Sequence, residues 1–160
     1  MSVGHAIFRS PIGDLHLIAH EHALMQCNFI EIEPDVSFTP ELPILAKTLS
    51  ELSGYFAGTL REFTVPIDLE GAAAFSQQVW EYTQQQVKFG TTQAYGEIAA
   101  ALNRPKAARA VGAVMRNNPV ALIMPCHRVV ASTGKLTGYA GGIRRKAWLL
   151  AHERRVLNGL

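Results

Sequence analysis

The chain has 160 residues, 48% of them apolar and 18% charged, with a formal net charge of +2. This predicts a packed, soluble globule of one domain or two small ones, and no apolar run approaches the ~20 residues of a membrane span. Nothing at the N-terminus marks export, so a cytoplasmic protein is expected, with Cys27 and Cys126 as free thiols rather than a disulfide framework. The charge is unevenly spread: acids outnumber bases up to Glu70, and bases dominate from Gly71 onward, which suits a polyanionic partner for the second half.

In chain order, Ala6–Arg9 and Leu15–Ala19 read as short strands joined by the turn Ser10-Pro11-Ile12-Gly13-Asp14, and Ala23–Ile30 as a third strand. Pro34–Pro43 is a proline-rich loop, Ile44–Phe56 has helical periodicity, and Gly58–Gly71 is the expected linker. Helices are predicted over Phe75–Lys88, Tyr95–Leu102, Lys106–Asn117 and Arg144–Glu153, with an irregular stretch over Pro119–Gly142. The fold class is therefore α+β: a small α/β N-terminal domain over 1–70 with a linker at its end, and a mostly helical C-terminal domain over 71–160.

Two helical segments around Asn103-Arg104-Pro105 predict a helix-turn-helix. On the second, Ala107, Ala110, Val111 and Val114 are expected to face inward, while Lys106, Arg109, Ala113 and Arg116 form a cationic outer stripe. A sequence-reading helix needs long polar side chains, whereas Ala108, Gly112 and Ala113 surround the single Arg109. A helix is ~10–12 Å across and the minor groove ~6 Å wide, so a slim face suits entry into a widened minor groove, with little sequence preference.

The segment Asn118-Pro119-Val120-Ala121-Leu122-Ile123-Met124-Pro125-Cys126-His127-Arg128-Val129 carries most of the chemistry. A thiol reacts as thiolate, and adjacent base or cation lowers its pKa, which His127 and Arg128 are placed to do. On these residues alone a nucleophilic Cys126 and a structural one remain equally open.

Pro125-Cys126-His127-Arg128-Val129 after Asn118-Pro119 resembles the active-site signature of the O6-alkylguanine-DNA alkyltransferases. The likeness extends in order through Tyr95-Gly96-Glu97, Ala108-Arg109-Ala110-Val111-Gly112, Gly138-Tyr139-Ala140-Gly141-Gly142 and Trp148-Leu149-Leu150-Ala151-His152-Glu153. In the N-terminal half it is looser, through Ser10-Pro11-Ile12-Gly13 and Tyr55-Phe56-Ala57-Gly58.

The resemblance implies direct damage reversal in double-stranded DNA. Cys126 would accept the alkyl group of an extruded O6-alkylguanine, His127 would act as base through a water, and Glu153 would orient His127. Asn118 would brace the turn before Cys126, and Tyr95 would hydrogen-bond a ring nitrogen of the flipped base. The backbone around Cys126, Val129 and Ala140 would read its polar edge, with Tyr139 beside it. Arg109 would fill the gap left by the base, with Lys106, Ala107, Ala108, Ala113, Arg116 and Arg128 also at the DNA. No cofactor is required. A monomer is expected in solution, with cooperative binding on DNA an open possibility.

Thiolate is the best nucleophile a protein offers for displacement at an alkyl carbon, and the thioether product has no carbonyl for water to attack. Single turnover follows. Some relatives carry zinc at the N-terminus, but His5, His16, His20, His22 and Cys27 match no closed zinc site, so no metal is expected. Two departures stand out: Val87-Lys88-Phe89-Gly90 replaces an Ile-Pro-x-Gly turn, and Ala140 replaces a Ser found in some relatives. The rival readings are a non-catalytic sensor of alkylated DNA, a Cys126–His127–Glu153 thiol hydrolase, and a transcription regulator. The presence of Cys126, its direct adjacency to His127, and the slim helix argue against each in turn.

Overall fold

The computed structural model describes residues 3–159. Its elements run β1 (Gly4–Ser10), β2 (Gly13–Ala19), β3 (Leu24–Ile30), α1 (Pro43–Ala57), α2 (Ala74–Gln86), β4 (Gln93–Ala94), α3 (Tyr95–Ala101), α4 (Ala108–Arg116), the 3-10 turn Cys126–Arg128, β5 (Val129–Val130) and α5 (Ile143–Leu157). The α+β class holds. No described helix is long and apolar enough to cross a membrane.

The chain divides into two compact units, one of residues 1–69 with 119–123, the other of 70–118 with 124–160. The span 71–160 is thus interrupted, since five of its residues belong with the first unit.

In the first unit β1, β2 and β3 form an antiparallel meander in that order. Alternation sets the inner face: Leu15, Leu17 and Ala19 are buried while His16 and Ile18 are only half-buried. The helix α1 lies against it, with Leu45, Thr48, Leu52 and Tyr55 at helical spacing. Each fully buried Leu contributes ~1.5–3 kcal/mol over its exposed state. Pro43 opens α1 and Gly58 ends it in the left-handed region at φ 81°, where a side chain would be strained.

Residues 58–71 are not a free linker. The buried Glu51 carboxylate accepts hydrogen bonds from Thr64 N and Val65 N, and Leu24 bridges Ile67. Pro119 and Val120 likewise meet β3, with Cys27 N donating to Pro119 O and Ala121 N to Cys27 O, each at 2.8 Å. Both segments cover the free edge of β3, which would otherwise present unpaired peptide groups. Each segment holds a single proline, Pro66 or Pro119, and no strand-length alternation, which gives little sign of such docking.

In the second unit α2, α3 and α4 pack together, with Trp80 Nε1 donating to Val114 O. The link between α3 and α4 is a tight turn in which Asn103 adopts φ 61°. The helix α4 starts at Ala108, later than the Lys106 expected, because Arg104-Pro105-Lys106 form a turn closed by Ala107 N to Arg104 O. Lys106 therefore lies in the turn and Ala107 caps the helix. Its buried face is Val111, Gly112, Val114 and Met115, while Ala110, expected inside, is exposed.

Candidate active site

A parallel ladder only two residues long positions the site. Gln93 and Ala94 of β4 pair with Val129 and Val130 of β5. The first strand hands directly to α3, whose first residue is Tyr95, and the second follows the Cys126–Arg128 turn. Because the pairing is parallel, Tyr95 leaves one end of this two-residue ladder and the cysteine turn enters at the other. Ala94 has no polar side chain to cap α3, but its amide donates to the Glu97 carboxylate at 2.9 Å, which satisfies one orphan helix donor.

Cys126 is 4% exposed. Asn118, buried just beyond α4, donates from Nδ2 to Met124 O and to Cys126 Sγ, both at 3.0 Å. One amide therefore fixes both the loop and the sulfur. Burial pushes the Cys126 thiol up to about 11, against the lowering pull of the Asn118 hydrogen bond and the Lys146 charge. The resting group is a thiol.

His127 is fully buried, and its Nε2 lies 2.7 Å from Glu153 Oε2. Burial holds the imidazole below its ordinary pKa, although Glu153 pulls the other way. Its Nδ1 has no protein hydrogen-bond partner. Glu153, on the inner face of α5, accepts from His127, from Arg128 Nε at 2.9 Å and Nη2 at 3.1 Å, and from Gly90 N at 2.8 Å. Burial alone would raise the carboxyl pKa, but the His127 and Arg128 contacts outweigh it and hold the group well below the usual range.

Arg128, expected at the DNA, is placed elsewhere. Its side chain is 7% exposed, bonded to Glu153 and, through Nη1, to Val87 O at 3.0 Å, with the Phe89 ring 5.6 Å below the guanidinium. The atypical Val87–Gly90 turn is thus part of the site. Gly90 adopts φ 79°, and a Cβ there would come within 2.0 Å of Leu157 Cδ1, so the turn lies close on α5.

Lys146 was not foreseen. It is 1% exposed, donates from Nζ to Val129 O and, at 2.9 Å, to Thr137 O, and lies 5.8 Å from the Tyr95 ring centre. Burial lowers its pKa to about 8, partly opposed by Cys126. The sequence held a signal for it: Lys146, Leu149, Leu150 and Glu153 share the buried face of α5, and two ionisable residues on a core face mark a site.

Tyr95 Oη donates to Thr137 O at 3.0 Å. Val129 and Tyr139 are buried and Ala140 is exposed. On the helix-turn-helix, Lys106, Arg109 and Arg116 are exposed and Ala107, Ala108 and Ala113 half-buried. Gly112 faces the Tyr95 ring, where a Cβ would lie 3.8 Å from Cδ1. In the first unit His5 Nδ1 lies 3.0 Å from His16 Nε2, His20 Nε2 lies 2.9 Å from Asp68 Oδ2, and Cys27 is buried. Among the described residues no three metal-ligating side chains gather.

Two family models match. Residues 3–69 fit the ribonuclease-like domain of 6-O-methylguanine DNA methyltransferase, and residues 74–155 its DNA binding domain. A methylated-DNA–protein-cysteine methyltransferase of Mycobacterium bovis is 45% identical over 148 residues, spanning 91% of this chain and 88% of that one. One from Methanosarcina acetivorans is 41% identical over 153 residues, covering 93% and 97%. A crystal structure of Mycobacterium tuberculosis OGT in complex with DNA superposes with TM-score 0.85 at 42% identity, covering 96% of this chain and 94% of that one. With both halves matched in order around Cys126, the chain belongs to the 6-O-methylguanine DNA methyltransferase family.

Proposed function

We infer that the chain repairs DNA by moving the alkyl group of O6-alkylguanine onto its own Cys126, as a methylated-DNA–protein-cysteine methyltransferase. The observation that carries this is a buried thiol fixed by Asn118, next to a His127–Glu153 pair that presents an unpartnered Nδ1. Buried polar nitrogens meet water when no protein group is near, and such a water would pass the thiol proton to Nδ1. The sulfur then attacks the alkyl carbon as the carbon–O6 bond breaks, leaving its electron pair on the purine. The proton released by sulfur finally resides on the guanine. Tyr95, which shares Thr137 O with Lys146, turns its hydroxyl to the purine as donor, and the Lys146 charge steadies the thiolate.

DNA is the partner. Arg109, Lys106 and Arg116 meet it from the exposed side of the helix-turn-helix, with Ala107, Ala108 and Ala113 keeping that side slim for the minor groove. Arg109 takes the place of the extruded base, while Val129, Tyr139 and Ala140 line the base pocket. All these residues lie in 71–160, which carries DNA binding and alkyl acceptance. The protein works in the cytoplasm as a monomer in solution, with no cofactor. The sensor alternative is not favoured, because the acceptor thiol is present and set beside its base.

The test uses duplex DNA with an isotopically labelled O6-methylguanine. Label moves to protein and stops at one methyl per molecule, however much DNA is added. Continued release of repaired DNA past that point overturns the reading.

A further inference from the structure

We propose that Arg128 is a positioning residue: by compensating the buried Glu153 carboxylate it keeps His127 waiting as a neutral imidazole with Nδ1 bare. The proposal rests on the reading of His127 as the base for Cys126. A carboxylate can only accept, so the 2.7 Å contact requires His127 to donate from Nε2, and in the neutral ring this leaves Nδ1 as the acceptor. That arrangement survives only while Glu153 does not draw a second proton onto the imidazole.

Glu153 with His127 alone would be an uncompensated buried charge, and a buried site relieves such a charge by binding a proton. His127 would become an imidazolium, Nδ1 would carry a hydrogen, and the base would be lost. Arg128 removes that demand. Its Nε and Nη2 meet Glu153, and Nη1 is tied to Val87 O, so the guanidinium cannot swing to solvent. Phe89 covers one face, and Gly90 N adds a further donor to the same carboxylate.

The other charged or titratable groups facing His127 are few. From α5 these are Glu153 and Lys146, and from its own turn Arg128 and the adjacent Cys126 thiol. The 87–90 turn offers backbone groups and the Phe89 ring, with Lys88 exposed. Arg128 and Lys146 both disfavour a charged His127, and only Arg128 touches Glu153.

Two measurements test this. In the first, Arg128→Met and Arg128→Lys are compared with the parent for the single-turnover transfer rate against pH, alongside the reactive fraction. Arg128→Met moves the half-maximal pH upward by ~1–2 units, the scale of removing one charge at short range. Arg128→Lys keeps the charge but loses the fork, and stays near the parent midpoint at a lower rate. A lowered reactive fraction with an unmoved midpoint in Arg128→Met reduces Arg128 to a structural prop and overturns the proposal.

The second needs no variant. Nitrogen NMR of the intact parent protein shows His127 as the neutral Nε2–H tautomer at pH 7, and an imidazolium there overturns the proposal even if Arg128→Met does not fold. A parent protein that shows the neutral tautomer but transfers no methyl group rejects the alkyltransferase reading instead.

Discussion

The resting state of Cys126 makes a quantitative prediction. Burial places the thiol at about 11, against an ordinary value of 9.0. That difference is ~3 kcal/mol of penalty on the thiolate, at ~1.36 kcal/mol per unit. At pH 7 only ~1 molecule in 10,000 then holds a thiolate, so a small electrophile that does not engage the base pocket should react slowly. Iodoacetamide labelling, followed by mass of the Cys126 peptide, should rise ~10-fold per pH unit from 7 to 10 without levelling. The same peptide in unfolded protein should level near 9. A plateau by pH 7 in the folded protein would show a preformed thiolate, and the assignment of His127 as the group that removes the proton would fall.

Three further perturbations follow from the same contacts. Asn118→Ala removes the amide donor to the sulfur and one of the two donors to Met124 O, which keeps Cys126 N, and should cost ~1–3 kcal/mol of stability, read by urea unfolding, while slowing transfer; an unchanged midpoint and rate would refute the brace. Glu153→Gln strands the Arg128 charge and should lose ~3–5 kcal/mol at pH 7. Because the Glu153 carboxyl is held low in the fold, its contribution is full above the unfolded value of ~4.3 and is lost as pH falls through the folded one, so the gap between parent and variant must narrow below pH ~4. A gap that widens in acid would contradict the ion pair. Gly90→Ala meets a left-handed backbone and Leu157, and should lower Tm by a strain of ~1–2 kcal/mol and slow transfer by shifting the amide off Glu153.

The fold was legible where patterns are local. Alternation in Leu15–Ala19 and the 3.6-residue period in Ile44–Phe56 place β2 and α1 within a residue or two of their ends. What escaped was set by distant contacts. The β4–β5 ladder is two residues a side, too short for any period, yet it holds Tyr95 near the cysteine turn. Docking of 64–67 and 119–121 depends on Glu51 and on the edge of β3, which local sequence does not announce.

At the site, residues adjacent in sequence to Cys126 were easy to name, but the place of Arg128 was not. Arg128 looked like a surface cation because Arg is usually exposed; only the fold reveals that Glu153 comes back to meet it. Val87, Gly90 and Thr137 act through backbone atoms and carry no side-chain signature at all.

The most direct measurement of the central claim is the intact mass of the protein after incubation with duplex DNA containing one O6-methylguanine, followed by peptide mapping. The account predicts a gain of a single methyl group confined to the peptide containing Cys126, and no gain in Cys126→Ser. A methyl group found on any other residue, or retained transfer by Cys126→Ser, would contradict it.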